Sequence, residues 1–279
     1  MNKVEKATEK IDICIITKNS MKTLPLCLSA IRRFIPNSRI IVVDGYSEDG
    51  TIEYAKNMGC EVYLDNGTRG TARQKCIEKV TTDVFAFIDS DVVIHKTWLK
   101  EMMGWLEKLG PKVGAVTGIP DIYPLSTPRR YQKFLQEFSG VTSLTSPVKI
   151  QSLHTGSCLI RKKAVKGIKF PRWLQHREDT FLARYILGRG YECWRVPVKF
   201  KHYTGGTWAS IFAESSANSR LLNILTSKQL LRGTIRSVPS SLKMALYFHE
   251  PRIIIWNMLR QLYTVDGFIN WQKYLYVKR

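Results

Sequence analysis

Val84-Phe85-Ala86-Phe87-Ile88-Asp89-Ser90-Asp91 joins a short apolar segment to two acidic residues. The first five residues carry no charge and include aromatic and β-branched side chains, which predicts a short buried strand. An extended backbone places the two carboxylates on the same side, because side chains alternate with a period of two. Like charges this close repel, so a divalent cation such as Mg²⁺ or Mn²⁺, shared with substrate phosphates, is a natural occupant. An ordinary acidic turn is the alternative, and the triplet alone does not decide between them.

The segment before this stretch alternates strands with helices. Residues 11–17, 39–43 and 61–64 are predicted strands, and helices are predicted after each of them. This order is typical of a parallel sheet with right-handed crossovers, in which ligands bind at the carboxyl ends of the strands. Polar residues follow three of the predicted strands, and they are Thr17-Lys18-Asn19, Asp44 and Asp89-Ser90-Asp91. A Gly-x-Gly-x-x-Gly fingerprint does not follow the first strand, which disfavours a dinucleotide-dependent enzyme.

Composition adds a constraint on partners. The chain of 279 residues has a formal net charge of +20, which indicates an anionic partner such as nucleic acid, a phosphate-bearing substrate or an anionic membrane surface. Enhanced solubility is the alternative explanation. The six cysteines are widely spaced and form no Cys-x-x-Cys pair, which argues against a zinc site or a disulfide framework and fits a reducing, cytosolic compartment.

A second acidic pair opens a later predicted helix. Glu178 and Asp179 precede the apolar-periodic residues 181–187. Carboxylates at a helix N-terminus are stabilised by the free amides and the dipole, so an ordinary N-terminal cap is one interpretation. The other interpretation is a general base held near the predicted metal site.

The C-terminal part is basic and aromatic. Residues 201–279 contain 11 Lys or Arg against 3 Asp or Glu. Lys228, Arg232 and Arg236 fall on one helix face, and residues 244–248 and 253–263 form a second, apolar segment. Such helices are typical of segments that lie on an anionic membrane surface, and packing on the catalytic part or on a second subunit is the alternative.

Several of these segments together resemble the family 2 inverting glycosyltransferases with the A-type fold. The resemblance covers roughly residues 11–204, in the order Ile-Ile-Thr-Lys-Asn (15–19), Ile-Val-Val-Asp-Gly-Tyr-Ser-Glu-Asp-Gly-Thr (41–51), Ala-Arg-Gln (72–74), Phe-Ile-Asp-Ser-Asp (87–91), Thr-Gly-Ser (155–157) and Glu-Asp-Thr (178–180). It implies a Rossmann-like, mostly parallel sheet flanked by helices. It also implies a UDP- or GDP-sugar donor, Mn²⁺ or Mg²⁺, and direct displacement by an acceptor hydroxyl, as in a hexosyltransferase.

The resemblance also assigns roles to individual residues. Asp179 corresponds to the catalytic base, with Glu178 as its neighbour, and Asp91, Asp89 and His202 correspond to metal ligands. The residues that correspond to the donor site are Thr17, Lys18, Asn19, Asp44, Arg73, Asp89 and Ser90. Arg220 is a further candidate for contact with the diphosphate, and a solvent-exposed arginine is the alternative. Lys18 stands where many relatives have tyrosine, and Gly45 replaces a second acid, which leaves uracil and guanine open as the base.

The expected organisation is a nucleotide-sugar-binding and catalytic domain over residues 1–204 and a basic, amphipathic helical extension over residues 205–279. We expect a cytoplasmic protein, peripheral at the inner face of the cell membrane, that acts on a glycan or lipid-linked acceptor and not on nucleic acid. Two alternatives stay open. A nucleic-acid-binding protein is suggested by charge alone and lacks a recognisable motif. A sugar nucleotidyltransferase would also use a metal but would release pyrophosphate.

Overall fold

The protein is represented by a computed structural model that describes residues 10–124, 144–204 and 208–275. In these ranges nine strands form one sheet in the order β3-β2-β1-β4-β8-β6-β9-β5, with β7 paired to β9. Strands β1 to β4, β6 and β9 run in one direction, and β5, β7 and β8 run against them. Helices cover both faces, so the predicted α/β class with a mostly parallel central sheet is confirmed.

The first half of the sheet consists of βα units. Each strand is followed by a helix that returns the chain to the same end of the sheet, as the sequence predicted. The elements are β1 (Asp12–Thr17), α1 (Leu24–Phe34), β2 (Arg39–Asp44), α2 (Thr51–Asn57), β3 (Glu61–Leu64), α3 (Arg69–Lys79) and β4 (Val84–Ile88). Thr17 pairs with Asp44 in register, so the polar ends of β1 and β2 lie side by side.

The second half is mixed. It contains β5 (Val92–Val93), α4 (Trp98–Lys108), β6 (Val113–Pro124), β7 (Val148–Lys149), β8 (Ser157–Arg161), α5 (Glu178–Gly188) and β9 (Glu192–Thr204), with a 3₁₀ turn at Lys162–Val165. The sequence pattern predicts two strands, residues 191–196 and 198–203, with a break at Pro197, and this prediction was wrong. Strand β9 runs through Pro197, because the pairing with β6 shifts register between Thr117 and Ile119 and the missing N–H falls in that irregularity.

Strand β4 is buried on both faces and explains where Asp89 is directed. Ala86 and Ile88 pack in the core under α1, α2 and α4, whereas Phe85 and Phe87 pack in the core under α3 and α5. This is the near-continuous apolar pattern of a central parallel strand. Because alternate residues share a face, Asp89 continues the side of Phe85 and Phe87 and is directed toward α3 and α5.

The predicted helical C-terminal extension is confirmed. It contains α6 (Trp208–Leu221), α7 (Ser227–Phe248) and α8 (Arg252–Ile269), followed by a 3₁₀ turn at Trp271–Tyr274. Helices α6 and α8 approach closely, since a Cβ at Gly267 would lie 2.0 Å from the Ala213 carbonyl oxygen. Ser216 also donates to the Thr264 carbonyl at 2.6 Å. Among the helices described, none is both long and apolar enough to span a bilayer.

Candidate active site

The acidic triplet lies directly after β4 and is held by its backbone. The Asp89 amide donates to the Gly156 carbonyl at 3.0 Å, and the Val92 amide donates back to the Asp89 carbonyl at 3.0 Å. Strand β5 then pairs with β9, which brings His202 opposite Val92. Asp91 Oδ2 lies 3.4 Å from His202 Nε2. The sequence prediction that Asp91 and His202 lie at one site is therefore consistent with their placement.

A second histidine, which the sequence analysis missed, joins this group. The ring of His154 lies 5.5 Å from that of His202 in an edge-to-face arrangement. A Cβ at Gly156 would lie 2.8 Å from His154 and 3.2 Å from Asp89 Oδ2, so the glycine allows both to approach. The position of His154 in the sequence could have revealed it, because His154 immediately precedes the Thr-Gly-Ser segment (155–157) that carries part of the family resemblance.

The donor atoms here fit a divalent cation. Asp91 Oδ1 is buried and has no hydrogen-bond partner within the protein. Carboxylate oxygen and imidazole nitrogen are ligands that Mn²⁺ accepts. Burial alone would lower the pKa of His202, but the hydrogen bond and charge of Asp91 raise it. Burial, with a further contribution from His202, lowers the pKa of His154 to about 4. In the described ranges no group of three or more potential ligands stands ready-assembled around a metal position.

Arg73 connects the acidic triplet to the second acidic pair. Its guanidinium Nη2 lies 3.1 Å from Asp89 Oδ1 and 3.4 Å from Glu178 Oε1, and the side chain is 2% exposed. It also lies 4.9 Å from the centre of the Phe87 ring. Burial would raise the pKa of Asp89, but the charges of Arg73, His154 and His202 together outweigh burial and hold that pKa below its ordinary value. Arg73 therefore lies beneath the site and joins two acids 89 positions apart in the sequence.

Asp179 lies in the first turn of α5, next to the buried Glu178. The preceding residue, Arg177, has a left-handed backbone with φ of 67°, which turns the chain into the helix. Asp179 Oδ1 accepts from the Thr180 amide at 2.6 Å. Burial, and then the neighbouring charge of Glu178, raise the pKa of Asp179 to about 6. A carboxylate with this pKa can exchange protons near neutral pH.

The loop that leads to Asp179 is held by α6. Asn218 is fully buried, and its Oδ1 accepts from the amides of Gln175 at 3.0 Å and His176 at 2.9 Å. The His176 ring Nε2 lies 2.8 Å from Glu214 Oε2. These contacts join residues 38 to 43 positions apart in the sequence, and no local sequence pattern predicts them. The C-terminal extension thus fixes the start of α5.

A cavity of about 520 Å³ lies between these elements. Asp89, Asp179 and His202 contribute to its wall, and Arg260 and Thr264 of α8 contribute on the side of the extension. The acidic triplet, the second acidic pair and two C-terminal helices therefore share one space. Its size lies within the range of small-molecule sites.

The predicted donor residues form an adjoining group. Asp44 is fully buried, and its two carboxylate oxygens accept from the Ser47 amide and hydroxyl, both at 2.7 Å. Asn19 Oδ1 accepts from the Glu48 amide at 2.9 Å, which ties the first loop to the same turn. Thr17 Oγ1 is buried and has no hydrogen-bond partner within the protein. The exposed Lys18 lies against Gly45, where a Cβ would be 3.1 Å from its Cδ.

This donor group is linked to the acidic triplet. Ser90 Oγ donates to Ser20 Oγ at 3.1 Å, and the Cys27 thiol donates to the Asp89 carbonyl at 3.5 Å. The sequence therefore predicted correctly that the strand ends meet. Arg220 is not brought to this group. Its guanidinium donates to the Phe268 carbonyl at 2.5 Å and stacks on the Phe268 ring, where it fixes α6 to α8.

Solved structures share this fold. A mannosyltransferase, PcManGT from Pyrobaculum calidifontis in complex with GDP-Man and Mn²⁺, superposes with a TM-score of 0.64 and 15% identity over 95% of this chain and 88% of that one. A glucosyl-3-phosphoglycerate synthase from Mycobacterium tuberculosis, in complex with Mn²⁺, UDP and glucosyl-3-phosphoglycerate, gives 0.57 and 16% identity over 78% of this chain and 81% of that chain. At these identities the likeness shows the fold alone.

Sequence comparison extends the likeness. The glycosyltransferase AglE of Haloferax volcanii is 25% identical over 195 residues, which are 65% of this chain and 62% of AglE. This chain therefore matches less than two thirds of that relative's length. Residues 12–168, more than half of the chain, match the profile of the family described as glycosyl transferase family 2. With its acidic triplet at the end of β4 and its α/β sheet, the chain belongs to glycosyl transferase family 2.

Proposed function

We propose that this chain transfers a sugar from a UDP- or GDP-sugar to an acceptor hydroxyl, with inversion at the anomeric carbon. The observation that carries the proposal is the link through Arg73. One buried guanidinium contacts Asp89 at the predicted donor end and Glu178 beside the predicted base. A donor diphosphate and a proton acceptor would then face the same cavity, as a direct displacement requires.

In this proposal Asp179 accepts the proton of the acceptor hydroxyl as that oxygen attacks the anomeric carbon. A pKa of about 6 leaves the carboxylate ionised at neutral pH while it remains a useful base. Glu178 positions the site through Arg73, and its charge contributes to the raised pKa of Asp179. Inversion follows because the base and the leaving diphosphate lie on opposite faces of the sugar ring in a single displacement.

Mn²⁺ or Mg²⁺ would be held by Asp91, together with Asp89 and His202. The buried, unpartnered Oδ1 of Asp91 supports this assignment. A bound cation would stabilise the negative charge that develops on the leaving diphosphate. Relatives of the same fold were crystallised with Mn²⁺ and GDP-Man or UDP, which supports the metal but does not distinguish the two bases for this chain.

The nucleotide would lie at the ends of β1 and β2. Thr17 offers a buried hydroxyl without a hydrogen-bond partner within the protein, and Lys18 offers an exposed cation for the donor diphosphate. Asn19 and Asp44 shape the two loops through their hydrogen bonds to residues 47 and 48. We therefore assign Asp44 a positioning contribution to the base pocket, since both of its oxygens already accept from Ser47.

We further propose that the acceptor is a lipid-linked glycan and that the enzyme acts at the inner face of the cell membrane. The net charge of +20 supports attraction to an anionic surface. In this view residues 1–204 bind the donor, and residues 205–279 complete the acceptor side of the cavity and carry the surface contact.

The decisive experiment is a thermal-shift panel of UDP and GDP with and without Mn²⁺, followed by product analysis with the matching nucleotide-sugar. We expect one nucleotide to raise the melting temperature in a metal-dependent manner, because a ligand stabilises the folded state that binds it. Release of the nucleoside diphosphate would support glycosyl transfer. Release of pyrophosphate would overturn it in favour of a nucleotidyltransferase.

A further inference from the structure

The α7–α8 hairpin, residues 227–269, exposes large apolar side chains along both of its helices. On α7 they recur at spacings of three or four residues, and on α8 at spacings of three, four or seven apart from the adjacent pair Met258 and Leu259, so they form one stripe per helix. The exposed fractions lie between 49% and 75% for Leu231, Ile235, Val238, Leu242, Leu246, Ile255, Met258, Leu259, Leu262 and Ile269. A monomeric soluble protein rarely exposes so many contiguous large apolar residues, which indicates an interaction surface.

The inner face of the same hairpin is mixed, since Ile253 is fully buried and Ala245 and Phe268 are 8% and 9% exposed. Ser241 and Asn257 are each 1% exposed, and Gln261 is 9% exposed. Gln261 Nε2 donates to Thr234 Oγ1 at 2.7 Å, and Ser241 donates to the Ser237 carbonyl. The hairpin thus satisfies its buried polar groups by hydrogen bonds and leaves the ten side chains of the two stripes exposed. An apolar partner outside the hairpin would explain that exposure.

Charge indicates what that partner is. Helix α7 carries Lys228, Arg232, Arg236 and Lys243, all exposed, and residues 227–248 include no Asp or Glu. At 100° per residue these cations lie roughly a quarter turn from the apolar stripe of α7. Cations that flank an apolar stripe are typical of helices that lie in the interface of an anionic bilayer. A two-fold dimer through this face would instead bring identical cationic helices together, which like-charge repulsion opposes.

We propose that the apolar stripes and flanking cations of the α7–α8 hairpin form a docking surface for an anionic lipid bilayer. The protein lies on the bilayer through this surface, with the stripe at the boundary of the acyl chains and the four α7 cations among anionic head groups. This inference rests on the proposed function in one respect, the lipid-linked acceptor. Helix α8 supplies Arg260 and Thr264 to the cavity and Met258 and Leu262 to the stripe, so one helix links the cavity to the lipid surface.

The test uses the full chain and sedimentation with vesicles of phosphatidylcholine alone or with about one third phosphatidylglycerol. We expect binding to the anionic vesicles that weakens with salt, and little binding to the neutral ones. The double variant Ile235→Gln and Leu242→Gln should lose binding, since it removes two members of the stripe. The triple variant Lys228→Gln, Arg232→Gln and Arg236→Gln should weaken it by about 100-fold, from roughly fivefold per cation.

Leu26→Gln is the matched control, because Leu26 is also 49% exposed but lies on α1 of the catalytic part. It should bind anionic vesicles as the wild type does. Equal binding of the wild type and both hairpin variants would overturn the proposal. So would a wild-type dimer that Ile235→Gln and Leu242→Gln convert to a monomer, since a second copy would then cover the stripe.

The nucleotide-induced thermal shift of each variant separates this inference from the proposed catalysis. Variants that lose vesicle binding should keep the nucleotide-induced thermal shift, because Ile235 and Leu242 lie outside the donor loops. A protein that binds anionic vesicles but shows no nucleotide-dependent shift would retain the docking surface and refute the transferase.

Discussion

Replacement of Arg73 by Met should strongly destabilise the folded protein, because it removes the cation that contacts two acids at once. The guanidinium is 2% exposed and lies within 3.4 Å of both Asp89 and Glu178. Methionine fills much of the same space with an apolar chain, so the main loss is the charge. Two carboxylates would then remain in a poorly hydrated site without their cation.

The size of the effect follows from the burial of the three groups. Removal of one partner from a buried ion pair typically costs about 3–5 kcal/mol. The side chain of Glu178 is 9% exposed, whereas that of Asp89 is 29% exposed and regains some hydration. We therefore expect a loss near the lower limit, about 3 kcal/mol. For a chain of this size that loss lowers the melting temperature by about 6–12 °C.

The pH dependence distinguishes a charge effect from a packing effect. In the wild type Arg73 holds the pKa of Asp89 down against burial, so this contribution to stability is present above the unfolded value and disappears as the pH falls through the folded value. In the variant the largest charge that opposes burial is gone, so the pKa of Asp89 rises. The difference in unfolding free energy between the two proteins should therefore be larger at pH 8 than at pH 5.

The assay is urea denaturation at both pH values, with Lys149→Met as the control. Lys149 pairs with Glu192 at 2.7 Å but is 62% exposed, so this control should leave the midpoint nearly unchanged. A loss below about 1 kcal/mol for Arg73→Met, or a loss that is the same at pH 5 and pH 8, would refute the reasoning.

Three further predictions concern the cavity. The kcat/KM should rise about tenfold per pH unit up to about pH 6 and then level off, because Asp179 must lose its proton before it can act as the base. Asp179→Asn should abolish turnover and keep nucleotide binding. A flat pH profile would place the base elsewhere. Asp91→Ala should remove the Mn²⁺ dependence of the nucleotide-induced thermal shift, and a retained dependence would contradict the metal assignment. Asn218→Ala frees the loop before α5 and should lower kcat by up to about 100-fold with an unchanged donor KM, whereas an unchanged kcat would show that α6 does not position Asp179.

Local pattern was sufficient to predict the parallel half of the sheet. The apolar segments that end at Thr17, Asp44 and Ile88 are short, and each is followed by polar residues and a helix with clear periodicity. Because parallel strands joined by right-handed crossovers end at the same edge, the convergence of the donor loops and the acidic triplet followed from sequence order alone. The pairing of Thr17 with Asp44 confirms that convergence.

Long-range pairing accounts for what the sequence did not reveal. Asn218 satisfies two amides more than 40 positions away, and nothing in residues 208–221 distinguishes it from a solvated asparagine. Pro197 indicated a strand break locally, but the register shift in the neighbouring strand accommodates it. Arg220 offered a cation of the right sign, yet its direction depends on α8, where it contacts the Phe268 carbonyl.

The four acids of the site, Asp89, Asp91, Glu178 and Asp179, lie in different electrostatic environments. Arg73 compensates Asp89 and Glu178, which holds the pKa of Asp89 down despite burial. Asp179 lies next to Glu178, and burial followed by the charge of Glu178 raises the pKa of Asp179 to about 6. Environments that push the pKa values of neighbouring acids apart are the usual physical basis for dividing charge stabilisation from proton transfer. Because Asp91 Oδ1 is buried without a hydrogen-bond partner and Asp91 lies beside His202, we propose that the cation binds at the triplet and that Asp179 accepts the proton.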